Sequence, residues 1–207
     1  RASDGLRETQ VTSVSVSPRG TVWARHGDIG VLSYLDGYHI RHIAAPPGNY
    51  RIYESKSGQI WSLYAEGLQE YNGEKWFNYP ISEIHQEFLS DPMRRIRQIP
   101  LLPTKRGEVF FLVSKGLMVF DVEKKSVTAL VIVDQTRLEK FIDMIPSNDD
   151  GIWITGKKGI LKISPDILKN GTIAYKEFLF DEDLNVENGL RSVEDEMGGI
   201  TLVADSL

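Results

Sequence analysis

The stretch Ile52–Tyr71, IYESKSGQIWSLYAEGLQEY, decides the fold of this chain. Apolar runs flank Ser57-Gly58, and the step Gly67-Leu68 opens a third run. Glycine tolerates positive φ in a tight turn, so the pattern predicts three short antiparallel strands. One small sheet cannot bury both of its apolar faces alone, which predicts that similar units pack against it.

The same turn recurs along the whole chain at intervals of roughly 40 to 50 residues. Each copy has an apolar run before the turn and a β-branched or aromatic residue after it. Most copies then continue with a Gly-apolar step and a third apolar run. The residues that hold the turn, here called the anchors, are Gly20, Gly58, Gly107, Asp150 and Gly198. In the fourth copy Asp150 replaces glycine, and Gly151 follows it.

A further turn and a fourth strand complete each of the first four units, as at Asp36-Gly37 and Asn72-Gly73. Such pairs suit a hairpin, because both residues accept positive φ. Four antiparallel strands in each unit of this length are typical of a β-propeller blade. We therefore predict an all-β fold, a single partial β-propeller domain over residues 1–207, with a sandwich of similar hairpins as the alternative. The predicted blades cover residues 11–43, 50–79, 98–133 and 141–180, with half a blade at 189–207.

A departure from the repeat lies at about 81–91. Ile81, Ile84, Phe88 and Leu89 are spaced as on one face of a helix, with Ser82 as the N-cap. This predicts a short amphipathic helix inserted between two blades. It is either a packing element, or a lid or contact surface.

Composition excludes several classes of function. The 207 residues contain no cysteine, which excludes disulfides, thiol catalysis and zinc–thiolate sites. The net charge is -5 and no basic stripe stands out, so we expect no nucleic-acid partner. The chain has no apolar run of membrane-spanning length, so we expect no membrane contact from this segment.

The sequence shows no constellation of catalytic or metal-binding residues. His39 and His42, three apart on a strand, point to opposite faces and make poor joint ligands. The chain has neither a glycine-rich phosphate loop before a helix nor a Gly-x-Ser-x-Gly elbow. We therefore predict no catalytic residue, no metal and no cofactor.

Propellers bind ligands at one mouth of the central channel. Blade connectors and the loops between second and third strands build that mouth. Such loops carry function because a rigid sheet positions them. The candidate ligand-binding residues there are Arg25, His26, Asp28, Tyr64, Glu66, Lys115, Lys157 and Lys158.

The repeats resemble a known family. Gly151-Ile152-Trp153-Ile154-Thr155-Gly156 followed by Gly159-Ile160, and Gly20-Thr21-Val22-Trp23 followed by Tyr34-Leu35-Asp36-Gly37, are similar to the two-component regulator propeller repeat. The resemblance implies a periplasmic sensor region of a bacterial membrane receptor, which carries its output domain elsewhere. It also implies glycans or other small molecules as ligands.

Three functional hypotheses follow. The first is a non-enzymatic extracytoplasmic sensor of a small molecule or oligosaccharide. The second is a propeller enzyme, a lyase or hydrolase with its chemistry at the channel mouth. The third is an interaction scaffold, in which open blade faces pair with further blades of the same receptor or with a second copy in a homodimer.

Overall fold

The computed structural model describes residues 5–6, 10–27, 29–48, 50–92, 98–104, 107–165, 173–181 and 191–203. The architecture is that of a β-propeller, as predicted. Four sheets have four antiparallel strands each, in which spatial order follows sequence order, and a fifth sheet has two described strands. Along the described residues, no helix has the length and apolar character needed to cross a membrane.

The strands follow the repeat closely. The first sheet is β1 (Val11–Val16), β2 (Val22–His26), β3 (Val31–Leu35) and β4 (Ile40–Ala44), and the second is β5 (Tyr53–Glu54), β6 (Ile60–Tyr64), β7 (Gly67–Tyr71) and β8 (Trp76–Pro80). The third is β9 (Leu101–Pro103), β10 (Glu108–Val113), β11 (Gly116–Asp121) and β12 (Ser126–Ile132). The fourth is β13 (Phe141–Pro146), β14 (Ile152–Gly156), β15 (Gly159–Ile163) and β16 (Tyr175–Leu179), and the last pair is β17 (Arg191–Glu194) and β18 (Ile200–Val203).

The anchors form one turn geometry throughout. All five have positive φ: 81° at Gly20, 87° at Gly58, 81° at Gly107, 65° at Asp150 and 81° at Gly198. In four of them the anchor N–H donates to the carbonyl three residues earlier, from Gly20 to Ser17, Gly58 to Ser55, Asp150 to Ser147 and Gly198 to Asp195. The predicted equivalence of Asp150 with the glycines is therefore confirmed. Aspartate is among the few residues that tolerate this conformation.

The chain divides into two compact units. The first comprises Arg1–Gln98 and Pro103–Glu108, and the second comprises Ile99–Leu102 and Val109–Leu207. In the first unit the first two sheets pack through a small core around Trp23 and Ile52. Trp23 is 3% exposed and stacks on Tyr34 with ring centroids 4.8 Å apart. This repeat position therefore packs between the first two sheets.

The second unit has the larger core. The third and fourth sheets of the chain bury one continuous apolar cluster in this unit, which includes Phe110, Leu117, Phe141 and Ile154. Phe110 takes the position that tryptophan holds in three other copies. Pro100 lies just before β9, and β9 is an edge strand of its own sheet. Its missing N–H therefore removes no bond from the centre of the ladder, where a proline would be disruptive.

The predicted helix exists as α1 (Ser82–Ser90). Ile84 and Phe88 are buried as expected, but Leu89 is 63% exposed. The helical spacing thus assigned one residue too many to the apolar face. Ser82 is not the N-cap: Ile81 holds that position, and the Ser82 hydroxyl donates to Glu83 instead.

Candidate functional site

The loops between second and third strands carry the predicted ligand-binding residues. Arg25 and His26 end β2, Tyr64 ends β6 with Glu66 just beyond it, Lys115 lies between β10 and β11, and Lys157 and Lys158 lie between β14 and β15. Asp28 lies outside the described residues. Four of these side chains belong to the first unit and the three lysines to the second. The described candidates are thus divided between the two units, and Arg25 and His26 are buried rather than exposed at a loop surface.

Arg25 holds a connector in place. Its Nη1 donates to the carbonyl of Tyr50 at 3.2 Å, and its Nη2 donates to the carbonyl of Pro46 at 2.6 Å and to that of Gly48. The side chain is buried, and burial lowers the pKa of the guanidinium. Arginine stays charged in proteins, so these carbonyl dipoles stabilise a buried cation. Arg25 therefore shapes the loop surface by fixing the segment between β4 and β5.

His26 joins a cluster that the sequence did not predict. Its Nε2 lies 2.6 Å from Oγ of Ser33, and Nδ1 of His42 lies 3.0 Å from the same oxygen. A hydroxyl has one proton, so Ser33 can donate to only one of the two imidazoles. His26 is 2% exposed and Ser33 1%, and Nδ1 of His26 has no hydrogen-bond partner among the described residues.

Strand pairing is the signal that could have revealed this cluster. Ser33 lies opposite both Ala24 and His42 in the ladder, and His26 is two residues beyond Ala24 on the same face. Serine beside histidine can serve as a nucleophile and its base. Here, however, the hydroxyl is enclosed, so it does not meet the requirement that a substrate reach it.

Helix α1 supports the loop that carries Tyr64 and Glu66. The N–H of Ile81 donates to the carbonyl of Glu66 at 2.8 Å, and Nδ1 of His85 lies 3.3 Å from the carbonyl oxygen of Ala65. Burial, and secondarily the Glu66 charge, raises the pKa of the Tyr64 hydroxyl. The hydroxyl therefore remains a neutral donor and acceptor at physiological pH.

The same helix also contacts the connector that Arg25 holds. Phe88 stacks on Tyr50 with ring centroids 5.6 Å apart. Helix, connector and loop consequently form one assembled surface on the first unit. This supports the packing role predicted for the insert, and it places the helix at the loop end of the sheets.

The second unit brings its three predicted lysines together through the backbone. The N–H groups of Lys157 and Lys158 donate to the carbonyls of Lys140 and Leu138, at 2.9 and 3.3 Å. The carbonyl of Lys115 accepts from Val133 at 2.9 Å, and the neighbouring Ser114 accepts from Phe141. The two turns and the segment 138–141 thus form a second surface. Within the described ranges, no three or more His, Asp or Glu side chains are grouped to hold a metal ion.

No family model matches the chain, and no curated protein matches it in sequence. Solved structures do resemble it. A streptogramin B lyase is 12% identical over 96% of this chain and 70% of its own, with a TM-score of 0.60. Virginiamycin B lyase from Staphylococcus aureus is 13% identical over 98% and 72%, with a TM-score of 0.58.

The extracellular domain of a hybrid two-component system of B. thetaiotaomicron is 15% identical over 97% of this chain and 36% of its own. Its TM-score is 0.46. At such identities the matches with the higher TM-scores establish the β-propeller fold and nothing finer. They include enzymes, so the fold is compatible with binding and with catalysis.

Proposed function

We propose that this chain is a non-enzymatic ligand-binding module, and that it serves as the extracytoplasmic, periplasmic sensor part of a bacterial signalling receptor. The class of ligand is a small molecule, with oligosaccharides first. The receptor assignment rests on the repeat motifs, from Gly20-Thr21-Val22-Trp23 to Gly151-Ile152-Trp153.

One observation carries the choice of binding over catalysis. In the described serine–histidine cluster, the Ser33 hydroxyl and the His26 ring are buried within the first sheet, and His42, which lies beside Ser33, is half-buried. By contrast, the exposed polar groups at the loop ends are lysines and carboxylates on turns fixed by backbone hydrogen bonds. Groups of that kind, held rigidly, favour recognition of hydroxyl and charged groups on a ligand.

Rigid support suits a sensor for a physical reason. A ligand shifts a conformational equilibrium only by its difference in affinity between two states. Arg25 and α1 both contact Tyr50 of the connector, so a ligand that moves one of them also acts on the other. Ligand binding at the loops can therefore change how the first two sheets pack against each other.

The test is thermal denaturation of the 207-residue chain with a panel of neutral and acidic oligosaccharides, followed by calorimetry on any hit. A ligand present at about 100 times its Kd should raise Tm by several degrees. Chromatography of the ligand after prolonged incubation should return it unchanged. Conversion of the ligand to a product, or a panel without a single stabilising compound, would overturn the proposal.

A further inference from the structure

The second unit has a charged surface at residues 138–140 and at the turn that follows β14. Lys140 N–H donates to the carbonyl of Leu138 at 2.7 Å, which closes a γ-turn around Glu139. Glu139 has a φ of 61°. A γ-turn of positive φ is rare and strained. Strain of this kind persists where surrounding contacts enforce it, and it concentrates at functional sites.

The neighbouring turn enforces the strained conformation. The N–H groups of Lys157 and Lys158 bind the carbonyls on either side of Glu139. Gly156 makes this approach possible, because a Cβ there would lie 2.6 Å from Cβ of Leu138 and 2.9 Å from the carbonyl oxygen of Lys140. The segment around Glu139 is therefore held against the end of β14.

This geometry brings two ammonium groups to one carboxylate. Nζ of Lys157 lies 3.4 Å from one carboxylate oxygen of Glu139, and Nζ of Lys158 lies 4.0 Å from the other. Lys140 follows Glu139 in sequence, and the Lys115 turn is held beside this segment because the N–H of Phe141 donates to the carbonyl of Ser114. Two ammonium groups thus face one carboxylate here, although the whole chain carries a net charge of -5.

We infer that this surface, Glu139 with Lys115, Lys140, Lys157 and Lys158, binds an anionic group of the ligand, a carboxylate or a sulfate carried by an acidic saccharide. The inference rests on the proposed function and names the ligand class. Ammonium groups form charge-assisted hydrogen bonds with such anions. The Glu139 carboxylate lies beside two of the ammonium groups and competes with the anion for them, so it is not a ligand-binding group itself. The backbone bonds hold the turn before any ligand arrives, which lowers the entropy lost on binding.

Calorimetry on the full chain tests this with four probes: a trigalacturonate, a sulfated disaccharide, inorganic sulfate and neutral maltotriose. Each is measured at low salt and at about 0.15 M salt, where exposed charges are partly screened. We expect at least one acidic saccharide to bind and maltotriose to bind at least about tenfold more weakly. Comparison of the trigalacturonate with the sulfated disaccharide shows whether the surface prefers a carboxylate or a sulfate group, and inorganic sulfate shows whether the anion binds without a saccharide.

Two sets of variants fix the location. Lys157→Gln with Lys158→Gln should weaken binding of the acidic saccharide about tenfold or more, because charge-assisted bonds are lost. The matched control, Lys124→Gln with Lys125→Gln, removes the same charge from the exposed turn between β11 and β12 and should change Kd less than about twofold. Glu139→Gln should leave affinity for the anion unchanged or raise it, since a repelling charge is removed.

Each contrary outcome is informative. Binding of maltotriose as tight as that of the acidic probes would overturn the anion inference and leave the proposed function standing. If none of the four probes binds but a neutral compound from the wider panel does, the anion inference is likewise overturned and the proposed function stands. Equal losses in the two lysine pairs, or a Glu139→Gln variant that no longer binds, would overturn the location. The absence of any ligand in both experiments would overturn the inference together with the proposed function.

Discussion

Nε1 of Trp23 donates a 3.0 Å hydrogen bond to Oε2 of Glu54, which lies on the neighbouring sheet. The relationship recurs in the second unit, where Nε1 of Trp153 donates to Oε1 of Glu194 at 3.0 Å. In both pairs the tryptophan lies three residues after one anchor, and the glutamate lies four residues before the next. A packing position and a polar position of the repeat are therefore coupled between consecutive sheets.

The first prediction compares two tryptophans of this repeat position. Nε1 of Trp61 is buried without a hydrogen-bond partner among the described residues, and Pro103 takes the place of the glutamate in the next copy. Trp23→Phe and Trp61→Phe remove the same ring volume, but only the first leaves Glu54 without its indole donor. We expect Trp23→Phe to lower the free energy of unfolding by about 1 kcal/mol more than Trp61→Phe. Urea denaturation at 25 °C measures both, and an equal or reversed order would contradict the coupling.

The second prediction concerns the one anchor that is not glycine. Asp150 has a φ of 65°, so Asp150→Gly should relieve a conformational cost and stabilise the fold by about 0.5 kcal/mol. The control is Gly20→Ala, where φ is 81° and no atom lies within 4 Å of the new Cβ. It should destabilise by about 1 kcal/mol through φ alone. Thermal and urea unfolding measure both changes in stability. Destabilisation by Asp150→Gly would show that contacts of the Asp150 side chain stabilise the fold by more than its positive φ costs.

The third prediction tests the seating of α1. Phe88→Ala removes a ring that is 1% exposed and stacked on Tyr50, and should lower the free energy of unfolding by about 3 kcal/mol. Leu89→Ala, at the next and 63% exposed position, should stay within about 0.5 kcal/mol of the parent. Amide exchange should also quicken between β4 and β5 in Phe88→Ala only. Equal effects of the two variants would mean that the helix does not support the connector.

The fourth prediction concerns acid. Burial acts to raise the pKa of the Glu194 carboxyl, but the bonds that it accepts from the Trp153 indole and the Asn148 N–H act in the opposite direction. The net pKa lies below its ordinary value. A depressed pKa in the folded state adds stability above the unfolded value of about 4.3, and that stability disappears as pH falls through the folded value.

Glu194→Gln should therefore be less stable than the parent at pH 7, and the difference should shrink as pH falls from about 4.5 to 3. Urea titrations across that range measure it. Glu123→Gln, an exposed substitution in the turn between β11 and β12, is the control and should stay within about 0.5 kcal/mol of the parent at pH 7. A difference between Glu194→Gln and the parent that stays constant with pH would contradict the assignment.

Turn chemistry made the fold predictable from sequence. A positive φ restricts an anchor to glycine or to a small polar residue such as Asp150, so the copies are recognisable although little else repeats. For the same reason the candidate residues Glu66 and Lys157 were placed correctly in turns, whereas Tyr64 is the last residue of β6. Whether any of them touches a ligand stays a prediction.

The partners of those residues could not be predicted, because they come from distant parts of the chain. Arg25 binds carbonyls 21 to 25 residues away, along a connector whose path has no periodic signal. Ser33 meets His42 only through the register of two strands, which a slip of one residue would abolish. Leu89 matched the helical spacing, but the width of the buried face depends on what packs against it.

The missing side chain at Gly156 has a consequence for how this protein can diverge. Any larger residue there would push away the Leu138 side chain and the Lys140 carbonyl, and the enforced turn at Glu139 would relax. Descendants that replace Gly156 should therefore also change Glu139 and the two lysines, in the same lineages. Those that keep the glycine can exchange the lysines and acquire another ligand preference without rebuilding the loop.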